Sequence, residues 1–557
     1  MRWNRNARNV PQNYSLGVLM DRRSAVLGST ALAAAYALTP RIASGGSTVT
    51  RVNVTSLSSA DAAVLQSAVA LMMEKPASDP GSWDFLAATH QRLPFDSKAA
   101  LQKAASENPG VAPWLNEVST YIDFDKLGKV SAIAKTTYWS ACIHRGKRGE
   151  ENKPFKSGFF LAWHRVFLLN FEAHFLKAVA EVVAKSGGTT AIAALPYWDY
   201  YQDGTIPSMF RAPKLPDGTD NKLYISMRNS DLNLPKDPQS VSSPSMAAFK
   251  LKDFQTQVVK LGPFNLVRGF DGALEALPHD QIHGEVGGLM GTISTAAWDP
   301  LFWFHHANID RLWQAWETAN GVAKDVDQTW KDEPFVFEGV EGPILRRAGD
   351  LYGAALPYVY ASLDVGGDPL KPNPVPKKPP KISTKPTPGK HLLALSVPQS
   401  LEVTNRGGTV TLPLPSLTSQ KKLGALAHMT PPATSPPTSV GVVVEGLTIT
   451  PEGRKNGFVF DVYVAAPVIG TAKPADPVRV GTINIFNLKV LGNQDTLRFD
   501  ATEAVQELAK VHKTGSNLEV LLVQQTGTNS DGSSQVRTPS GPLIRIKSLY
   551  LDSLVNK

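Results

Sequence analysis

The stretch "WDPLFWFHHANIDRLW", Trp298 to Trp313, sets two histidines side by side in an apolar run and then adds an amide, a carboxylate and an arginine. Asp299 followed by Pro300 reads as N-cap and first helical residue, and Gly321 as the stop, which predicts a helix of about 20 residues. Leu301, Phe304, Ile309, Leu312 and Trp316 mark its apolar surface, and Phe302, Trp303 and Phe304 read as core. A buried imidazole, carboxylate or guanidinium costs several kcal/mol without a partner. His305, His306, Asn308, Asp310 and Arg311 therefore need a joint explanation, either a structural ion pair beside a satisfied histidine or the surroundings of a metal.

Working outward, "FFLAWHRVFLLNFEAHFLKAVAEVVAK" (Phe159 to Lys185) is apolar on nearly every face, as a helix buried in a bundle is. Helical patterning runs from about Ala60 to Tyr200, gives way to loops over 201–275, and returns through Asn320. "GGDPLKPNPVPKKPPKISTKPTPGK" (366–390) reads as an extended, solvated linker open to proteases. Beyond it, "TSVGVVVEGLTIT", "GFVFDVYVAA", "VGTINIFNL", "NLEVLLVQQ" and "PLIRIKSLYL" are short β-rich runs between turn residues. The expected organisation is a mainly α domain over 46–365, the linker, and a β-sandwich or barrel-like domain over 391–557. A chain of 557 residues is long enough for two or three domains.

The net charge of +8 comes from 57 basic and 49 acidic residues, but six of the lysines lie between Lys371 and Lys390, in the linker. The rest is nearly balanced, which gives no ground for a nucleic-acid partner. Cys142 is the only cysteine, so no intramolecular disulfide forms. "MDRRSAVLGSTALAAAYALTPRIA" (Met20 to Ala43) carries twin arginines, Arg22 and Arg23, before a mildly apolar run and small residues. That run, about 14 residues, falls short of the roughly 20 that span a bilayer. Residues 1–45 thus read as a Tat-like export signal, with Met20 as a candidate start, and the expectation is a periplasmic or secreted protein without stable membrane insertion.

Eight of the eleven histidines precede the linker: His90, His144, His164, His174, His279, His283, His305 and His306. "LPHDQIH" sets His279 and His283 four residues apart, which on a helix places both imidazoles within reach of one metal. With His306 they make a three-imidazole set without thiolate or carboxylate, suited to copper, zinc or iron. His305 points about 100° away from His306 around the helix, so it reads as structural or supporting. His90, His144 and His164 form a looser second set, and His391, His428 and His512 read as unrelated.

The words around these histidines resemble the tyrosinase and polyphenol oxidase family. "FFLAWHRVFLLNFE" is similar to its first copper-site signature, and "GALEALPHDQIHGEVGGLMG" and "DPLFWFHHANIDRLW" are similar to its second. "LPYWDY" (Leu195 to Tyr200) resembles the strand-like segment after the first site, and "PYVY" (Pro357 to Tyr360) the tyrosine motif that closes the catalytic domain. The resemblance covers about 51–364 and implies a four-helix bundle around two copper ions. It implies His279, His283 and His306 as ligands of one copper, and His90, His144 and His164 as ligands of the other. Cys142 with His144 resembles the Cys-x-His in which fungal members carry a thioether. The family's spacing would put the second ligand at Phe155, so keeping His144 requires an insertion in "RGKRGEENKPF"; His174 is a poor stand-in, ten residues along the helix from His164.

Dioxygen reduction takes two electrons at once, which is the reason for a copper pair, and neutral histidines let copper change valence without thiolate oxidation. The resemblance implies oxidation of small phenols by dioxygen: o-hydroxylation of monophenols and conversion of o-diphenols to o-quinones. Glu275 matches the glutamate that holds a water near the second copper in the family, and Asp280 stands where its asparagine partner is common, which leaves a diphenol-only catechol oxidase open. An o-aminophenol oxidase, a dioxygen carrier and a copper-binding protein without turnover are the other readings. Asn308, Asp310 and Arg311 are expected either to brace the histidines or to form the structural ion pair. The C-terminal domain is expected to pack on the catalytic domain. The resemblance implies an extension that often holds the enzyme latent until the linker is cut, and the linker reads equally as a plain spacer. Phe458, Phe460 and Tyr463 are among the aromatics that could fill the site.

Overall fold

The computed structural model describes residues 48–126, 158–365, 387–388, 395–396, 401–412, 438–465, 477–488, 495–508, 518–524 and 541–555, short interruptions excepted. The export-signal segment, most of the linker, and Cys142, His144, Phe155, His391, His428 and His512 lie outside the described residues.

Helices dominate the region before the linker. Ser58 caps Ser59–Glu74 by accepting the Asp61 N–H at 3.1 Å, and Ser82 caps Trp83–His90 by accepting the Phe85 N–H at 3.1 Å. Phe160–Ser186 runs 27 residues, buried without interruption from Phe160 to Leu168, and stops at Gly187, in the left-handed region at φ 66°. Leu301–Asn320 has the predicted 20 residues. The Asp299 carboxylate accepts the Leu301 N–H at 2.9 Å, as an N-cap should, while also taking both Nε and Nη2 of Arg228. Four histidine-bearing helices, Trp83–His90, Phe160–Ser186, Asp280–Val286 and Leu301–Asn320, share one apolar core.

His279 and His283 share one helical turn, as their spacing predicts: His279, at φ −56°, ψ −62°, caps Asp280–Val286 in helical geometry, and the break lies before both. Between Phe270–Leu274 and Asp280–Val286 the chain makes a wide turn over Glu275–His279, in which Leu277 leaves helical geometry at φ −147°, ψ 119°. "PYVY" is a strand, Tyr358–Tyr360, paired in parallel with Val49–Arg51. "LPYWDY" is a bridging segment: Tyr197 pairs with Asn53, and the Trp198 N–H donates to the Phe304 carbonyl.

Beyond the linker two antiparallel sheets share a core. One runs Gly408–Leu412, Leu518–Gln524, Val459–Ala465, Val478–Asn484; the other runs Asp495–Asp500, Thr438–Ile449, Ile544–Ile546, Leu401–Val403, with Ser548–Val555 also on the long strand. Val442, Val444, Phe460, Val462, Val520, Leu522 and Leu551 fill the space between, which makes the expected sandwich. Among the described residues no helix is long and apolar enough to cross a membrane.

Candidate metal centre

Every imidazole of this centre is nearly solvent-free, at 2% exposure or less for His90, His164, His279, His283, His305 and His306. Backbone carbonyls orient four of them. Nδ1 of His164 donates to Phe160 O at 2.7 Å, that of His283 to Met290 O at 2.9 Å, that of His90 to Ile293 O at 3.1 Å and that of His279 to Glu275 O at 3.2 Å. A carbonyl on Nδ1 fixes the tautomer in which Nε2 carries the lone pair, the form that binds a metal. His283 and His306 accordingly bring their Nε2 atoms to 3.2 Å of each other.

His279, His283, His305 and His306 each offer a nitrogen within 4.8 Å of the others. Burial, the largest cause, pushes the imidazoles of His283, His305 and His306 well below the usual histidine range, and the neighbouring imidazoles push the same way. They are therefore neutral at pH 7, ready for a cation and costly to protonate. The second set lies against the first: the His164 ring stacks on His306 at 4.4 Å, and His90 lies 5.5 Å from His164 and 6.3 Å from His306. A buried, neutral, all-imidazole group fits copper.

His305 departs from its sequence reading. Although adjacent positions diverge around a helix, its ring centroid is 5.1 Å from that of His306, and it stacks on His279 at 5.5 Å. It belongs to the imidazole group. His174 does not: its Nε2 meets the Glu338 carbonyl at 3.0 Å, away from the centre.

The sequence leaves the polar residues after His306 open to two readings. Asp310 and Arg311 hydrogen-bond to none of these histidines. Asp310 accepts Arg165 Nε at 2.6 Å, Arg51 Nη1 at 3.1 Å and the hydroxyls of Tyr358 and Tyr360 at 2.5 Å each. Arg311 donates to Asn308 Oδ1 at 2.7 Å and Asp199 Oδ1 at 2.8 Å, so Asn308 braces the arginine. Of the two readings of this helix end, the structural ion pair is the one observed. The carboxylate that does touch an imidazole is Asp280, whose Oδ1 lies 2.9 Å from His279 Nδ1. Glu275 is half-buried at the head of the turn that carries His279.

Sequence reasoning missed Phe486. It belongs to the short turn Ile485–Asn487 that ends a sandwich strand, yet it packs with the helical core. Its ring stacks on His283 at 4.0 Å with planes 18° apart and meets His279 edge-on at 5.4 Å. Phe458 and Phe460 lie instead in the sandwich core, and Tyr463 is half-buried on its strand. Glycines permit the approach: a Cβ on Gly457, at φ 61°, would fall 2.2 Å from the Gly284 carbonyl oxygen. Asn229 Nδ2 adds a hydrogen bond of 2.6 Å to the Asn456 carbonyl. The sequence carries one signal for Phe486, an aromatic within a turn rather than on an alternating strand face.

A sequence profile of the common central domain of tyrosinase matches residues 80–265 and 226–319. The tyrosinase HcTyr1 of Hahella sp. (strain CCB-MM4) is 29% identical over 313 residues, 53% of this chain and 58% of that protein. A Streptomyces antibioticus tyrosinase is 29% identical over 224 residues, 36% of this chain and 77% of its own. The chloroplastic polyphenol oxidase of Malus domestica is 28% identical over 272 residues, and 41% of its length is covered. The chain thus spans a little over half, or less, of two of these relatives. The structure of latent apple tyrosinase aligns with 92% of this chain and 99% of its own at 16% identity and a TM-score of 0.46.

Proposed function

The chain belongs to the tyrosinase family of type-3 copper proteins, whose centre is a pair of copper ions, and on that premise we propose that it is an enzyme oxidising small phenols with dioxygen. The observation that carries this reading is the set of buried, neutral imidazoles that four helices bring into one group. His279, His283 and His306 would hold one copper, and His90, His164 and His144 the other. Bound copper supplies the two electrons that dioxygen needs and the oxidising power that acts on the ring. The protein holds the imidazoles in one tautomer and keeps water away. Asp280, on His279 Nδ1, would help fix the orientation of that ligand, and Glu275 would take a phenol proton.

We assign both o-hydroxylation of monophenols and oxidation of o-diphenols, with diphenol-only oxidation as the second reading, favoured by the Asp280 carboxylate being engaged with His279. Phe486 occupies the face of His283 on which a substrate ring would stack. The full chain is accordingly latent, and cutting within 366–390 releases it. Export through the twin-arginine signal completes the proposal; Arg22→Lys with Arg23→Lys should hold the protein in the cytoplasm on fractionation.

Oxygen uptake by the copper-loaded chain tests the reading. Full chain, linker-cut chain and Phe486→Ala should rank from least to most active with an o-diphenol. Uptake with a monophenol as well establishes the tyrosinase; uptake with the diphenol alone makes Asp280→Asn the next variant. No uptake in any form, with two coppers bound, would overturn the enzyme and favour a dioxygen carrier.

A further inference from the structure

Trp83, Asp84 and Trp298 form a knot at the floor of a cavity of about 920 Å³, far from Phe486 in the chain and lined by Tyr121, Ile122, Tyr224 and Ile225. The exposed Lys98, Lys126 and Lys222 line it too, so it opens to solvent. The Trp83 indole N–H donates to the Trp298 carbonyl at 3.2 Å, and the Trp298 indole N–H donates to Asp84 Oδ1 at 3.2 Å. Trp83 opens the helix that His90 closes. Inward, Trp83 meets Trp303 edge-on at 6.0 Å, Trp303 meets Phe302 at 5.1 Å, and Phe302 lies 4.1 Å from His306 and 4.9 Å from His90. Rings in contact thus run from the imidazoles to Trp83, which lines the cavity, and the Trp83 N–H hydrogen bond to the Trp298 carbonyl carries the path one step further.

We propose that Trp303, Trp83 and Trp298 relay single electrons between the copper-site imidazoles and this cavity, where a phenolic reductant docks against Trp298 and Asp84 exchanges the indole proton. The proposal rests on the copper phenol-oxidase reading. Packing alone does not call for this arrangement, since phenylalanine or leucine would fill the interior without an indole N–H aimed at a carboxylate. Indole is among the side chains most readily oxidised by one electron, and ring contacts as far as Trp83, then one hydrogen bond to Trp298, are the couplings through which an electron passes. Burial pushes the Asp84 carboxyl up, against the Trp298 N–H, with Lys126 and Asp123 the charged groups facing it, so it has the proton affinity that a departing indole proton needs.

In the reducing direction a phenol in the cavity loses one electron and its hydroxyl proton and leaves as a phenoxyl radical. The electron would pass through Trp298, Trp83 and Trp303 to cupric copper held by the imidazoles, which supplies the one-electron oxidant, and the proton would go to solvent. Trp298 lends its N–H proton to Asp84 while oxidised and recovers it when reduced. Two phenols would supply the two electrons that a copper pair takes up. The route serves donors that cannot pass Phe486, so a covered centre is still primed for dioxygen.

The test runs the relay outward. Copper-loaded full chain is treated with hydrogen peroxide without phenol, freeze-quenched for electron paramagnetic resonance, and digested for peptide mass spectrometry. A tryptophan radical and oxidation concentrated at Trp298 are expected, both copper-dependent. In Trp83→Phe, oxidation at Trp298 should disappear and shift to the histidines, with two coppers still bound. Asp84→Asn keeps every ring and should change the radical from neutral to protonated. Unchanged Trp298 oxidation in Trp83→Phe, or histidine oxidation in wild type with Trp298 intact, would overturn the relay. Oxygen uptake with an o-diphenol is read in parallel: normal uptake with Trp298 intact sinks the relay alone, and Trp298 oxidation without uptake sinks the oxidase reading alone.

Discussion

The Leu301–Asn320 helix buries two polar groups one turn apart and resolves them in opposite ways. At His305 and His306 the side chains are neutral, because burial and their neighbours hold protons off. At Asp310, about 6 Å further along the axis, the carboxyl is held below its usual range: burial alone would raise it, but Arg165, Arg51, Tyr358 and Tyr360 outweigh that. The second group is complete in itself, two guanidiniums against Asp310, Glu172 and Glu317. The first is a set of neutral nitrogens suited to a metal ion. One end of the helix is a network of paired charges, and the other is a set of ligands. Each can be broken without the other, and that separation is what the variants below probe.

The largest effect should come from Asp310→Ala. It leaves Arg51 and Arg165, both fully buried, without their shared carboxylate. Breaking a buried ionic group by removing one partner costs about 3–5 kcal/mol. Calorimetry of the metal-free chain should show the helical transition lost or far lower, with the sandwich transition in place. Equal lowering of both would mean that the two regions unfold as one. Tyr358→Phe is the milder version, removing one of the two hydroxyls on Asp310 Oδ2. A hydrogen bond to a charged group is worth about 1.5–3 kcal/mol, so a drop within that range should appear with copper content unchanged.

How legible these two ends were in the sequence follows from distance along the chain. His279, His283 and His306 lie close together, and their pattern, weak by itself, became a metal set through the family words around it. Asp310 sits four residues after His306, so proximity suggested that it braced the histidines. Its true partners are Arg51, 259 positions away, and Arg165, 145 away. No local pattern encodes that choice, since a buried carboxylate reads the same beside an imidazole or a guanidinium. Phe486 was hidden for a related reason: its partner His283 belongs to another region, and alternation along Val478–Asn484 says nothing about the turn that follows. The helix length, the buried Phe160–Ser186 helix and the sandwich strands were legible because period and caps are local properties.

Acid should separate the two ends next. His283, His305 and His306 resist protonation when folded, whereas the unfolded chain takes protons at the ordinary imidazole value of about 6.5. Below that pH the unfolded state binds more protons, so metal-free stability falls as pH drops, by up to about 1.4 kcal/mol per pH unit for each imidazole. The Asp310 group contributes no slope there, since its carboxyl stays ionised down to below the usual carboxylate range. Urea titrations of the metal-free chain between pH 7 and pH 5 should show the decline. A flat profile would mean that the imidazoles take up protons in the folded state.

The smallest effect on the metal-free chain is expected from the variant most harmful to the loaded one. His306→Ala removes an imidazole that burial already keeps uncharged and whose Nδ1 makes no hydrogen bond. Deleting it forfeits packing against His164 and Phe302 but leaves no charge stranded. The metal-free Tm should therefore fall far less than for Asp310→Ala, whereas copper should drop from two ions per chain to one. Bound copper stabilises wild type by about 2.7 kcal/mol at a hundredfold excess over Kd, and the variant should lose the share due to the second site. If His306→Ala instead destabilises the metal-free chain as severely as Asp310→Ala, the imidazoles are holding the fold together themselves, and the contrast between the two ends of the helix collapses.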